Sequence, residues 1–321
     1  MLRLVVNGAD VINLVPTVTW SGDYLQCSRT LEFGAATSPA DQRIPVINCP
    51  LGAAVQLLQD NTLLFDGFVF GRDKATNSSV MDITCFDRGI YVKCNEKSYK
   101  FKNSTPEAAT KRICADFGIP IGDIVSTGYN LTRNFPQAKL YDIIQTAYTL
   151  ASEKTKKKYQ VGFRGAKLCV WEKSAIMNAP QIAAGVNLMD AATSESIQNM
   201  VNQVAIYDKN DNLVKTVKNA ELVKLYGVMQ SALKQADGED TAAKARKLMD
   251  DNGVEQKITV NCLGDFRYIT GTSVVVQEPY TGLKGLFYID SDTHSWKNGV
   301  YTNKLVLNFR AMMDEKQSGS A

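Results

Sequence analysis

Histidine is nearly absent: the 321 residues contain one, His294. Any mechanism or metal site that needs two imidazoles is excluded. The seven cysteines, Cys27, Cys49, Cys85, Cys94, Cys114, Cys169 and Cys262, include no CxxC pair. Their number is odd, and Cys85, Cys169 and Cys262 sit in apolar, strand-like runs. That pattern fits small buried hydrophobes and synthesis in a reducing compartment. The opening MLRLVVNGADVINL lacks the apolar core and cleavage site of a secretory signal. No apolar run approaches the ~20 residues that span a bilayer. The expectation is a chain made and folded in a cytoplasm and not inserted in a membrane. The glycosylation patterns at Asn103-Ser104-Thr105 and Asn130-Leu131-Thr132 carry no meaning without secretion.

Charge of one sign is lacking too. Lys and Arg number 36 against 33 Asp and Glu, so the net charge is +3, and nothing argues for nucleic-acid specificity. The one basic run, Lys154-Thr155-Lys156-Lys157-Lys158, follows a helical segment and reads as a solvated helix end, where cations complement the dipole. No GxxxxGK[ST], GxGxxG or GxSxG stands in a strand–turn–helix setting, so no cofactor is expected.

What the chain does have is a repeated plan. Thr272 to Phe309 reads as a β-meander with a polar loop at its midpoint, and Gly52 to Phe86 runs the same way. Each begins with a glycine (Gly52, Gly271) and an alternating strand (Val55 and Leu57; Val274 and Val276). A second glycine (Gly67, Gly285) and an aromatic-rich strand follow, then an Asp (Asp73; Asp290 or Asp292). The last strand alternates and ends in Phe86 or Phe309. A shared period at this scale marks a duplicated supersecondary unit.

The length suits two or three domains at roughly 150 residues each. Short strands with turn signals about every ten residues fill the N-terminal part, pointing to a barrel or sandwich. Val11–Val15 is expected to return as a strand, Ser21–Tyr24 to turn, and residues 34–43 to form a polar loop. After Asp87 the pattern changes. Ser104-Thr105-Pro106-Glu107 opens a helix that ends at Gly118 and Pro120; a second helix runs from about Leu140 to Ser152. Strands at Tyr159–Phe163 and Lys167–Trp171 complete an α+β middle. Residues 219–236 fit either a helix or a strand at Val228–Leu233, and 240–250 fits a helix.

The expected fold is therefore mainly β with an α+β insertion. A first β unit would span 1–95 and an α+β middle domain 96–185. Returning strands and a helical connector would span 186–253, a second β unit 254–312, and a disordered tail 313–321.

Few residues invite a chemical reading. Asp290-Ser291-Asp292-Thr293-His294 could in principle share a cation, but its place before Asn298-Gly299 makes a hairpin tip the simpler reading. Asp208-Lys209-Asn210-Asp211-Asn212 starts like a calcium loop, yet Leu213 replaces the glycine and Asn219 the terminal Glu; a hairpin turn is expected. Glu32, Glu153, Glu172 and Glu278 are available for a glycosidase-type pair, which is defined by spatial separation, and nothing marks any of them. No catalytic, cofactor or metal residue is assigned.

Trp20-Ser21-Gly22-Asp23-Tyr24 and Arg29-Thr30-Leu31-Glu32-Phe33 resemble the opening of the XkdQ/YqbQ-type prophage proteins. So do Leu64-Phe65-Asp66-Gly67-Phe68-Val69-Phe70, Tyr288–His294 and Leu305-Val306-Leu307-Asn308-Phe309. The Thr105-Pro106-Glu107 helix ending in Phe117-Gly118-Ile119-Pro120 is similar to an element of late-control-D-type hub proteins. The resemblance implies a baseplate hub of a contractile tail, in a phage, a defective prophage or a phage-tail-like bacteriocin, assembled in the bacterial cytoplasm. It implies a homotrimer with two tube-like β-barrel domains per chain, one at 1–95 that borrows strands from 187–217 and one at 254–312, partnered by a tail tube protein, a spike protein and other baseplate or tape-measure proteins. Loops 34–43, 72–79 and 291–299 are candidates to line the ring. It marks no catalytic residue, and any lytic activity would sit in a separate protein. Two alternatives stay open: a tail-delivered peptidoglycan hydrolase, and a hexameric tail-tube or adaptor subunit.

Overall fold

The computed structural model describes residues 1–36, 46–76, 78–174, 179–236 and 240–320; the expected loop at 34–43 lies largely outside them. In chain order come β1 (Leu2–Val6), β2 (Ala9–Asp10), a 3-10 turn (Ile12–Leu14), β3 (Thr17–Asp23), β4 (Thr30–Ala36), β5 (Ala54–Gln59), β6 (Thr62–Lys74) and β7 (Val80–Asp87). Next are α1 (Gly89–Cys94), β8 (Glu96–Ser104), α2 (Pro106–Asp116), β9 (Ile121–Ile124), β10 (Leu131–Lys139), α3 (Leu140–Thr155), β11 (Tyr159–Arg164) and β12 (Lys167–Glu172). Then follow β13 (Gln181–Ala183), β14 (Leu188–Ser196), β15 (Gln203–Tyr207), β16 (Leu213–Lys218), α4 (Ala220–Tyr226), β17 (Gln230–Lys234) and α5 (Thr241–Asp251). The last strands are β18 (Glu255–Leu263), β19 (Ser273–Glu278), β20 (Leu283–Lys297) and β21 (Val300–Asn308).

Alternation builds the strands. β4 buries Leu31, Phe33 and Ala35, and β21 buries Asn303, Leu305 and Leu307, every second residue facing inward. Among the described residues, thirteen strands share one sheet in the order β14-β18-β21-β20-β3-β4-β7-β6-β5-β1-β2, with β19 on β20 and β13 on β19. The protein is thus mostly β. Among the described residues the sheet is an open path in which neither expected barrel is closed, and β20 pairs antiparallel with β3 from Ser291↔Asp23 to Lys297↔Thr17. β14 pairs with β18 and lends nothing to the N-terminal strands. Periodicity says which face of a strand is buried, not which strand lies beside it.

The two meanders are both antiparallel triplets, β5-β6-β7 and β19-β20-β21. Two strands extend each in the same order, giving β3-β4-β7-β6-β5 and β14-β18-β21-β20-β19. Hydrogen bonds fix the equivalence. Gly52 N donates to Val69 O and Val69 N to Ala53 O; Gly271 N donates to Ile289 O and Ile289 N to Thr272 O. A bulge then follows Val69 in β6 and Ile289 in β20. This pairs Val69 with Ile289 and Cys85 with Leu307. Gly67 and Gly285, and likewise Phe86 and Phe309, are therefore not counterparts, since the stretch from Gly271 to Ile289 is one residue longer than that from Gly52 to Val69, and Ile289 to Leu307 is two residues longer than Val69 to Cys85.

Two further expectations change locally. Val11–Val15 holds the 3-10 turn, and Ser21–Asp23 continues β3 up to the seam with β20.

The α+β middle packs α2, α3, a β8–β10 ladder and a β11-β12-β9 sheet around Ile113, Phe135, Ile144, Tyr148, Val161 and Leu168. Thr105 caps α2 by accepting from Ala108 N at 3.2 Å, with Pro106 in the first turn. α3 closes on Lys156 in the left-handed region (φ 60°). Its buried polar residues explain the fate of the C-terminal segment. Tyr141 Oη donates to Asp314 Oδ2 at 2.9 Å, Lys316 N to Thr149 Oγ1 at 3.2 Å and Ser318 N to Thr146 Oγ1 at 3.1 Å. Met313 is buried in the same core. Residues 313–320, expected to be disordered, are thus held by a polar stripe on α3.

Residues 192–258 form a second compact unit. Its β16-β15-β17 sheet carries α5, with Val204, Ile206 and Ala245 buried. The ambiguous 219–236 stretch resolves as α4 followed by β17.

Gly52 (φ +81°) and Gly271 (φ +82°) hold equivalent left-handed positions, but an added Cβ meets nothing at Gly52 and lies 3.0 Å from Gln160 and Trp171 at Gly271. Gly52→Ala should cost about 1–2 kcal/mol, the price of a left-handed L-residue. Gly271→Ala should cost more, read as a larger fall in calorimetric Tm; equal shifts would contradict the packing difference.

Candidate functional site

The resemblance motifs, far apart in sequence, meet at the seam between β3 and β20. Asp292 and His294 stand in mid-strand with side chains 0% exposed; they are not at a hairpin tip. Arg29, at the start of β4, reaches across Gly22 to Asp292, with Nη1 donating to Oδ1 at 3.0 Å and Nη2 donating to Oδ2. Gly22 faces Asp292 across the ladder, and a Cβ there would lie 2.3 Å from Arg29 Nη1. Arg29 also stacks over Trp20, 4.0 Å from the ring centroid. Its backbone N–H donates to Asp87 Oδ2 at 3.0 Å, so two carboxylates hold this one residue.

Asp292 Oδ1 accepts further from Thr270 N and Thr270 Oγ1, each at 2.6 Å. Burial alone would raise the Asp292 carboxyl; the Arg29 guanidinium and His294 overcome this and hold it well below the usual carboxylate range. His294 Nε2 lies 3.1 Å from Asp292 Oδ2, off the angle for a good hydrogen bond. Asp265 N donates to Asn303 Oδ1 at 2.6 Å, which turns Asn303 Nδ2 toward His294 Nδ1 at 2.7 Å. An Nδ1 that accepts puts the ring proton on Nε2, facing Asp292. Burial pushes the imidazole below its ordinary value, and the pull of Asp292 does not reverse this. The ring packs 4.7 Å from Trp20, and Tyr301 Oη lies 2.7 Å from Nδ1.

An Asp–His pair can orient a general base. Here the far nitrogen meets Asn303 and Tyr301, not a nucleophile, and neither side chain reaches solvent. Beside the pair lies a cleft of about 230 Å³ lined by Ser21, Asp23, Ser28, Thr30, Ser291 and Thr293 among others. Asp290 sits at the β20 bulge, half-turned to Asn308 Nδ2 at 3.1 Å; burial pushes its carboxyl up to about 6. Asp87 is likewise pushed up to about 6 by burial.

The other candidates stay apart. Glu32 lies on β4 and Glu153 on α3, both exposed. Glu172 pairs with Lys157 at 2.8 Å. Glu278 accepts from Tyr280 N and Thr281 N at the β19–β20 turn. Asp208 Oδ1 is occupied by Asn210 N and Asn212 N, each at 2.8 Å, as a hairpin turn requires. Lys154–Lys158 closes α3, Lys158 pairing with Glu315 at 2.6 Å. Cys94 is exposed and the other six cysteines are buried thiols. No described helix is long and apolar enough to cross a membrane. Arg29 and Trp20 were not singled out by chemistry; their signal was a charged residue abutting the buried alternation of β4.

This fold, a β-sheet of two like-ordered halves flanking an α+β middle, is that of prophage tail proteins. The 43 kDa tail protein of prophage MuSo2 from Shewanella oneidensis superposes with a TM-score of 0.72 at 12% identity, over 95% of this chain and 97% of that one. The E. coli c3393 protein, described as a type VI secretion component structurally similar to T4 bacteriophage tail proteins gp27 and gp5, superposes at 0.56 and 9% identity, over 99% and 79%. The chain belongs to the YQBQ-like family, whose profile matches residues 18–308. The phage-like element PBSX protein XkdQ of Bacillus subtilis is 24% identical over 93% of this chain and 94% of its own length.

Arg29→Met leaves Asp292 charged and unpaired in the interior and should cost about 3–5 kcal/mol, measured by urea unfolding; a loss below 1 kcal/mol would show the pair to be dispensable. His294 supplies a pH test. Its folded value lies below the unfolded ~6.5, so its share of stability is present above pH 6.5 and is lost as pH falls below it. Asp87 and Asp290, raised to about 6, act oppositely, losing their share as pH rises from about 4 to 6. They do so in every variant that retains them. Between pH 7 and 5 the Tm of the wild type should therefore fall more steeply than that of His294→Gln; parallel profiles would contradict the assignment.

Proposed function

We propose that this chain is a structural subunit of a contractile-tail baseplate, and specifically its hub: a homotrimer joining the sixfold tail tube to the threefold spike. The observation that carries the reading is the pair of five-strand halves in the same order, joined edge to edge by β3 and β20. Two like halves in each of three chains make six near-equivalent positions, so one kind of interface can be reused around a closed ring. One face of such a ring matches a hexameric tube and the other a trimeric spike. The barrels that do not close among the described residues of one chain would then be completed between neighbours, with 1–95 and 254–312, the latter joined by β14, as tube-like domains. The 96–185 and 186–253 segments would serve as the middle domain and the connector. The tail proteins named above support the setting, a phage or phage-tail-like particle.

In this reading the chain performs no catalysis. The buried Asp292–His294 pair serves the seam, and the carboxylates of Glu172 and Glu278 are engaged in local contacts. The test is electron microscopy of the purified chain mixed with its cognate tube and spike proteins, together with its mass in solution. Threefold rings capped by tube on one face are expected. A chain that stays monomeric and binds neither protein would overturn the hub, and cleavage of purified cell walls would then favour a peptidoglycan hydrolase.

A further inference from the structure

The two halves differ in how their long central strands are flanked. β20 has β21 along one side. Along the other it has β19 up to Tyr288 and then β3 from Ser291 onward. β6 has β7 along one side and β5 up to Phe68. Beyond the bulge, from Gly71 to Lys74, no described strand occupies the place that β3 takes on β20. Exposure agrees. Asp290 at the β20 bulge is buried, its carbonyl accepting from Tyr24 N at 2.9 Å just past the end of β3. Phe70, its counterpart in β6, is 42% exposed, and Arg72, Asp73 and Lys74 are exposed.

The strand that corresponds to β3 in the second half is β14, since β3-β4 and β14-β18 hold the same places in the sheet order. β14 ends that order, with one edge open. None of its nine residues is buried. It carries no proline, lysine or arginine of the kind that guards an edge strand against pairing; its charges are Asp190 and Glu195. The open stretch of β6 offers Arg72 and Lys74.

The geometry points to a second copy of this chain as the occupant: β14 of one subunit adds antiparallel to Gly71–Lys74 of β6 in its neighbour, repeating between chains the β3–β20 junction made within each. This deepens the trimeric hub reading and rests on it. Slot and strand are different elements of the chain, so the contact is heterologous and must close into a ring or run on as a filament. In the trimer proposed above, intrachain and interchain junctions would alternate around a ring of six halves. Backbone hydrogen bonds would carry the contact, and the basic slot against the acidic strand would set its sense.

The experiment uses the full chain in its complex with cognate tube and spike proteins, in a Cys94→Ser background. Asp73→Cys is placed in one population of chains, and Ala192→Cys, Thr193→Cys or Ser194→Cys in another, which brackets the register. After mixing and mild oxidation, one of the three combinations should shift from monomer to covalent dimer on a non-reducing gel, while each single variant stays monomeric. A complex that contains three copies by mass but cross-links in none of the combinations overturns the strand addition and leaves the trimer standing. A complex with one copy overturns both.

Discussion

The ion pair between Arg29 and Asp292 is the constraint on which the sheet depends. Both charges sit in the interior, where an unpaired ion is costly and a well-satisfied pair roughly offsets its own desolvation. Its contribution is therefore better described as placement. Asp292 takes hydrogen bonds from Arg29 and Thr270 and lies against His294, and these groups come from the residue just before β4, from the loop before β19 and from β20 itself. A slip of one residue between β3 and β20 would turn Asp292 to the opposite face and strand Arg29 against Trp20. The pair makes one register much better than its neighbours at the place where the N-terminal and C-terminal strands become one sheet.

Much of the architecture was legible in the sequence, and the losses have identifiable causes. The meanders at 52–86 and 272–309 showed because alternation, glycines and turn residues recur in order. Their alignment slipped because the connections between equivalent strands differ by one or two residues in length, which composition does not reveal. The bulge after Ile289 hid the seam. Ile289 and Asp292 are buried three residues apart, which no period of two predicts, so Asp290–His294 read as a polar tip. Arg29 looked like any strand-entry charge, because its partner lies across a strand pairing that sequence does not specify. On α3, Thr146 and Thr149 accept hydrogen bonds from Ser318 N and Lys316 N, contacts over long sequence separation that no local pattern announces.

The two halves also show how one strand order adapts to two neighbourhoods. Gly52 and Gly271 share a backbone conformation and the same hydrogen bonds, yet Gly52 faces open space while Gly271 lies beneath Gln160 and Trp171 of the α+β middle. At the bulge, an exposed Phe70 beside Phe86 and Tyr91 replaces a buried Asp290 bonded to Asn308. Backbone geometry is kept where strands must register, and side chains vary with what covers them.

In the first half the connection between the two leading strands is a short turn, residues 24–29. In the second half the same connection, between β14 and β18, holds residues 197–254 with their own sheet, helices and core. Closing a longer loop costs entropy that grows only slowly with length, and a segment that folds on its own core avoids most of that cost. The β14–β18 connection is thus a graft point. Chains built on this plan can diverge in size and surface there while the ladder on either side keeps its pairing, and a foreign domain with closely spaced ends is best introduced at that position.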